Sequence, residues 1–501
     1  MPAALLLLAL LRPAAALSVV SATCTVSADN LLRYDCEVEL DSPGLAWIAF
    51  GEGSVRDRRT VLARARRTHH QFTLVNLAQG TTFTWQVLAW TPRGRARGTV
   101  GTFTTSDLAD LDGDGVDDAD FAFTVTPTAT GTSELDQLLI NYGCGVGTDH
   151  LVILDAAGRV VWYQDLRHDS SSTPVVTALG WADRHPMAIV DDEWLLEYSL
   201  EGELLRQSCF CDASGLCPDG SAPATSCLPT YVHHEIVRQH GLTWVLAAEA
   251  LTPETDVYDC DGDGDTTDTY TRIVDGVLGL DDDFLVQQEW WLDEAFPDPT
   301  CPYYEDHGRG YWTRHLTGSD WSHANSIWLD DDGRWTLSLR HLDSVIQVQA
   351  EEGDPDYAVG ELLWVLDGTG LGGDFTLRSS IGASPLDFSM QHHAWWTDDG
   401  TMRLYDNQVP GTNARVLDLA LDPASGDADI VASWDLGDSC PAQGSAYALE
   451  TGGHLLALCP EGLFVSEYDP ASTSEVLRLD LACDGTPRGG PVYRAIPVSL
   501  P

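Results

Sequence analysis

Hydrophobic and polar positions alternate in short runs along most of this chain, and the runs stop at turns rich in Gly and Asp. A period of two sends neighbouring side chains to opposite faces, so the pattern predicts β-strands. "HLVILDAAGRVVWYQDL", ending at Leu166, reads strand, Ala-Gly turn, strand; "PMAIVDDEWLLEYSLEGELLRQ", beginning at Pro186, does the same. The theme returns in "HEIVRQHGLTWVLAAEA", "ANSIWLDDDGRWTLSLRHLDSVIQV", "HHAWWTDDGTMRLYDNQ" and "AYALETGGHLLALCPEGLFVSEYD". These runs lack helical periodicity. They predict an all-β fold in which residues 124–501 form a β-propeller of roughly six hairpin-rich units. Radial closure of the blades protects strand edges and gathers side chains around one channel.

Residues 23–106 carry a separate set of alternating runs, "CTVSADNLLRYDCEVEL", "LAWIAFGEG" and "QFTLVNLAQGTTFTWQVLAW", and predict a small β-sandwich. The Gly-Thr-Thr turn, the aromatic–x–Val strand and the closing Phe-Thr-Thr resemble the end of a fibronectin type III domain. Residues 107–123 read as an acidic linker.

The chain has 501 residues, which favours more than one core. Its formal net charge is -50, and it contains no lysine. Such a surface argues against nucleic acid or anionic lipid as partners. Residues 1–22 resemble a secretory signal peptide, with an apolar core at Ala3–Leu11 and small residues at Ala14–Ala16 or Ser21-Ala22. Arg12 follows the apolar core, and "SATC" ending at Cys24 leaves a lipoprotein open as the alternative. No later segment reaches the ~18 apolar residues that span a bilayer. The expectation is an exported protein, periplasmic or secreted, without a membrane span.

Export changes how the twelve cysteines are read. An even set in an oxidising compartment predicts disulfides, and Cys24–Cys36 and Cys440–Cys459 are each placed to tie neighbouring strands. "CFCDASGLCPDGSAPATSC" has neither C-x-x-C pairs nor a histidine at ligand spacing, which argues against zinc. In the linker, Asp110, Asp112, Asp114 and Asp118 match ligand positions of an EF-hand loop, but Phe121 stands where the bidentate Glu belongs. Structural calcium and a plain acidic linker both remain open there, as they do at Asp259–Asp268.

Three segments share one grammar: histidine, strand, turn at Asp-Gly or His-Gly, return strand. They are "YVHHEIVRQHGLTWVLA", "DWSHANSIWLDDDGRWTLSLR" and "QHHAWWTDDGTMRLYDN". If each histidine opens the innermost strand of a blade, three of them converge on one axial site. Alternation places His323 and Asn325 on one face and brings Arg340 back beside them on the next strand. Histidines with an arginine favour an anionic group such as phosphate or sulfate. A three-histidine metal site is the alternative, although arginine sits poorly beside a dication.

"HHE" at His233–Glu235, "WSHANS" at Trp321–Ser326, "SLR" at Ser338–Arg340, "QHHA" at Gln391–Ala394 and "LYDN" at Leu404–Asn407 together resemble the bacterial PAPS-independent arylsulfotransferase family. The resemblance implies a six-bladed propeller after a small β domain. It implies ping-pong transfer of a sulfuryl group from an aryl sulfate to a phenol through a sulfohistidine, with no cofactor. His392 would be the nucleophile, His323 the acid/base, and His234 and Arg340 would hold the sulfuryl oxygens. Asn325 would be a supporting donor, with His233 and His393 as further substrate-binding positions, because each HH pair leaves the register open by one. Trp321, Trp328, Trp395 and Trp396 either line an aryl-binding mouth or pack the blades. A sulfatase-like hydrolase and a non-catalytic, calcium-dependent binding propeller are the competing readings, and a homodimer is left open.

Overall fold

This computed structural model describes residues 17–108, 123–142, 150–166, 175–251, 271–295 and 315–500, apart from positions 56, 64, 93, 212–213, 219, 224–226, 317, 353–355, 370–371, 409–410, 450–452 and 484–491. Asp110, Asp112, Asp114, Asp118, the loop 259–268 and residues 1–16 of the expected signal peptide lie outside the described residues. The chain divides into two compact units, Met1–Gly115 and Val116–Leu500.

In the first unit one long strand, Tyr34–Glu52, organises everything else. Its first half pairs with Val19–Val26 and Arg67–Leu74. After a register break between Glu39 and Gly44, its second half pairs with Arg58–Arg59 and Thr82–Thr91. Gly94–Thr104 adds to the last of these. The alternation read from the sequence is the alternation of burial: Tyr34, Cys36, Val38 and Leu40 face inward, as do Phe83, Trp85, Val87 and Ala89. Cys24 and Cys36 stand directly opposite in register and are joined by a disulfide.

The second unit is a succession of mainly antiparallel sheets, six among the described residues. One edge strand of each, called its first strand, is Val176–Ala182, Tyr231–Gln239, Ala324–Leu329, His392–Trp396, Ser445–Ala448 and Ala495–Val498 in turn. Each lies against the next in that order, and the last returns to the first. Large aliphatic and aromatic side chains fill the space between successive sheets. One such layer packs Trp244, Trp290, Ile327, Trp335 and Ile346, with the Trp244 and Trp335 rings 5.4 Å apart. Strands buried on both faces explain why several sequence runs are continuously apolar rather than alternating. Close approach of neighbouring first strands has its own requirement at Gly180, where a Cβ would stand 2.9 Å from the Ile236 carbonyl oxygen.

Two pairings lace distant parts of the chain together. Ala495–Val498 adds to Gln137–Tyr142, and Phe123–Ala129 adds to Glu475–Cys483. The last two sheets of the series are therefore each built from both ends of this unit. Cys209–Cys217 and Cys211–Cys227 are disulfides, which accounts for the cysteine cluster without zinc. Cys440–Cys459 closes the loop ahead of the Ser445–Ala448 strand.

Candidate active site

The three histidine segments occupy adjacent first strands, and all three are bent by the same device. Register slips between His233 and Ile236, between Ala324 and Ser326, and between His392 and Trp395. His234 and His393 lie within these bulges and His323 directly before the strand Ala324–Leu329, and all three take left-handed conformations, with φ of 56°, 50° and 46°. Non-glycine residues rarely adopt that region, and a bulge re-aims the side chains around it. The expected shared face of His323 and Asn325 is corrected by this bend, because alternation does not survive a bulge. His323 turns to Asp320, whereas the Asn325 Nδ2 donates to the Gln391 carbonyl at 2.7 Å and braces the neighbouring strand. Arg340 is also shifted from its expected place: it lies one residue past the strand Arg334–Leu339, in the short 3-10 turn Arg340–Leu342.

His234, His323, His392 and Arg340 meet in one buried cluster, with exposures of 3%, 7%, 2% and 8%. The His234 and His323 rings are 4.8 Å apart and edge-on. Burial holds both well below the ordinary histidine range; His233, His392, Arg494 and Arg340 lower His234 further, and His341, His234, Arg340 and His392 do the same for His323. His392 is lowered to about 3, first by burial and then by Arg340. The cluster thus presents neutral imidazoles beside one guanidinium, an arrangement suited to an anion with an electrophilic centre.

Each of these histidines has a partner behind it. His323 Nδ1 and the Asp320 carboxyl are hydrogen-bonded at 2.6 Å, and the His341 Nδ1–H points to the Asp320 carbonyl at 2.6 Å. Burial, then the nearby Asp275, holds the Asp320 carboxyl well above its usual range. His233 turns away from the cluster; its Nδ1 lies 2.7 Å from Nδ1 of His234, and its Nε2 is 3.2 Å from Asp275. His392 contacts Asn407 Oδ1 through Nδ1 at 2.7 Å. His393 faces elsewhere: its Nδ1 accepts the Ala446 N–H at 3.1 Å, and its ring lies 4.4 Å from Tyr447. The HH ambiguity of the sequence therefore has a geometric answer, with His234 and His392 facing the cluster and His233 and His393 bonded outside it.

Several contributors carried no recognisable spacing. Arg494 is 1% exposed, pairs with Glu235 at 2.9 Å and donates to the Asn325 carbonyl at 2.9 Å. Burial pushes the Glu235 carboxyl up to about 7. Tyr493 donates its hydroxyl to the His234 carbonyl at 2.9 Å. These residues come from the segment before the last strand, far from any histidine in sequence. Among the tryptophans, Trp321 is buried, Trp395 donates to the Ala446 carbonyl and Trp396 to Thr336 Oγ1, each bond at 2.8 Å. Those contacts are packing between strands.

Asp320, His323 and His341 offer ligand atoms within 4.8 Å of one another and could hold a cation. This is not the expected three-histidine set, since Asp320 and His341 stand where His234 and His392 were expected. Both imidazole Nδ1 atoms already bond to Asp320.

A family model described as "Arylsulfotransferase (ASST)" matches residues 128–418. A comparison with curated proteins gives no match. Among solved structures, the chain is similar to a Bacteroides caccae protein of unknown function at 12% identity, covering 72% of this chain and 98% of that one with a TM-score of 0.40. It is similar to catalytically inactive virginiamycin B lyase from Staphylococcus aureus at 11% identity, covering 69% and 85% with a TM-score of 0.34. The Pseudomonas aeruginosa periplasmic gluconolactonase matches at 15% identity, covering 72% and 97% with a TM-score of 0.31.

Proposed function

We propose that this chain, which belongs to the arylsulfotransferase family, moves a sulfuryl group from an aryl sulfate to a phenolic acceptor with His392 as the covalent carrier. The observation that supports this most is the meeting of His234, His323, His392 and Arg340 in one buried cluster on adjacent strands.

In this scheme a lone pair of His392 attacks sulfur and the sulfur–aryl oxygen bond breaks. Arg340 and His234 face the sulfuryl oxygens, and a fixed cation in a buried site stabilises charge there without reorganising. The proton for the departing phenolate comes from the Asp320–His323 pair. That pair retains a proton because Asp320 is held high, and an anionic substrate draws it onto His323. The acceptor phenol then gives its proton back to His323 and takes the sulfuryl group, which frees His392. Deep burial supports transfer over hydrolysis, because bulk water is kept from the sulfated histidine.

In the same reading, the six sheets are blades of one propeller and the ring of first strands is its channel. The first unit is a fibronectin type III-like module, and the protein works in the periplasm or outside the cell. Incubation with 4-nitrophenyl sulfate, with and without phenol, tests the activity. Nitrophenol release that depends on the acceptor, with stoichiometric sulfation lost in His392→Ala, is the expected result. Equal release without acceptor would make the protein a hydrolase.

A further inference from the structure

We infer that Asn407 and the backbone N–H of Gln443 hold His392 as the Nδ1–H tautomer, so that Nε2 attacks sulfur and the Gln443 N–H passes to a sulfuryl oxygen. The second half of this inference rests on the sulfotransferase reading; the tautomer does not.

The argument starts from Asn407, which is fully buried. Its Nδ2 donates to two main-chain oxygens, Cys440 at 2.6 Å and Gln443 at 2.9 Å. An amide nitrogen has two protons and both are placed, so the amide cannot be reversed without setting its oxygen against two carbonyls. Oδ1 is thereby left facing His392 Nδ1 at 2.7 Å. An amide oxygen only accepts, so Nδ1 carries the hydrogen. The Met390 carbonyl, 3.2 Å from the same nitrogen, asks for the same thing.

The other ring nitrogen gives the matching answer. The Gln443 N–H donates to His392 Nε2 at 3.2 Å, and a backbone N–H can only meet a lone pair. Asn407, Met390 and Gln443 therefore specify one tautomer from both sides of the ring. The donor is itself held in place. Gln443 has φ of 58° and Gly444 φ of 98°, and a Cβ at Gly444 would stand 2.5 Å from the Tyr405 ring. No other residue fits there, and the Cys440–Cys459 disulfide anchors the start of the loop.

During attack the Nε2 lone pair becomes the N–S bond. The electrons of the S–O bond leave with the aryl oxygen, which takes the proton from His323. The sulfated ring carries positive charge, and its Nδ1–H shares that charge with Asn407 Oδ1. The Gln443 N–H has lost its nitrogen acceptor and stands beside the new sulfuryl oxygens. Attack by the acceptor returns the electron pair to Nε2, and the N–H returns with it.

The test is nitrogen-15 NMR of the intact protein labelled at histidine, near pH 7, with His392→Gln used to assign the ring. A protonated Nδ1 and an unprotonated Nε2 are expected; a protonated Nε2 overturns the inference whether or not the protein is a transferase. In kinetics, Asn407→Ala should lower kcat by about 10²- to 10⁴-fold with KM changed less than about threefold, because half-correct or wrong tautomers do not attack. Asn407→Asp should take the Nδ1 proton of the sulfated ring and make it a poorer donor, so that sulfated enzyme accumulates during turnover. A folded Asn407→Ala with kcat near the parent value would overturn the role of Asn407. Failure of the parent to form any sulfated protein would instead count against the transferase reading and leave the NMR result to decide the tautomer.

Discussion

The Asp320 residue holds two imidazoles at once: its carboxyl is hydrogen-bonded to His323 Nδ1 and its carbonyl accepts from His341 Nδ1, both at 2.6 Å. The strand Ser319–Asp320 is itself fixed, pairing in parallel with Arg272 and Ile273. His323 is thereby oriented with Nε2 toward the cluster. Asp320→Asn removes the group that holds the proton and passes it to His323, and kcat should fall about 10²- to 10⁴-fold. The loss should grow as the departing phenol becomes less acidic. The measurement is the dependence of log kcat on leaving-group pKa, which should steepen; an unchanged slope would show that the pair does not move the proton.

His393 and His392 are neighbours in sequence with different surroundings, and substitution should separate them. His393→Phe loses the acceptor for the Ala446 N–H, a cost of about 1–3 kcal/mol in stability. Its transfer rate should remain within about tenfold of the parent. His392→Phe should be inactive and also destabilised, because it leaves buried Asn407 Oδ1 and the Gln443 N–H without their partner. If the two variants exchange their turnover results, the facing assigned to the HH pair is reversed.

Arg494 and Glu235 form a pair buried on both sides, 2.9 Å apart. Removing the cation in Arg494→Met leaves a carboxylate without its partner, a loss of about 3–5 kcal/mol. Adding Glu235→Gln to that variant should recover a large part of it, since no charge is then stranded. Urea midpoints of the two variants give the comparison directly, and equal midpoints would contradict it.

The lowered His392 basicity has a defined sign. A free imidazole begins to protonate below about pH 6.5, whereas His392 keeps its lone pair down to about 3. The first-turnover release of nitrophenol should therefore show no acid limb from this group between pH 7.5 and 5. Burial is the larger cause of the shift and Arg340 the second. Arg340→Met should move the acid limb upward while lowering the rate. Stopped-flow single-turnover profiles would reveal an ordinary histidine if the parent rate halves near pH 6.5.

Much of this architecture was legible in the chain, and the reasons are local. "HLVILDAAGRVVWYQDL" announces two strands because alternation and turn chemistry act over a few residues, and they form as His150–Asp155 and Val160–Asp165. The histidine grammar worked for the same reason: each segment opens a first strand, and the ring of first strands brings the three together. The alternation argument failed at His323 and Asn325 because a one-residue bulge reverses faces, and no composition marks it. Arg494 was illegible for another reason. Its partners Glu235 and Asn325 lie 259 and 169 positions away, and only closure of the sheet series brings them near.

That closure also imposes an order in time. His234, His323 and His392 are all synthesised before Arg494, and Glu235 has no cation until Ala495–Val498 docks beside Gln137–Tyr142. A half-made chain can pair its local hairpins, since those contacts span few residues. It lacks the cation that pairs with Glu235 and bonds the Asn325 carbonyl, because Arg494 arrives after everything it touches. Under the proposed function, transfer therefore waits until the last strand closes the ring.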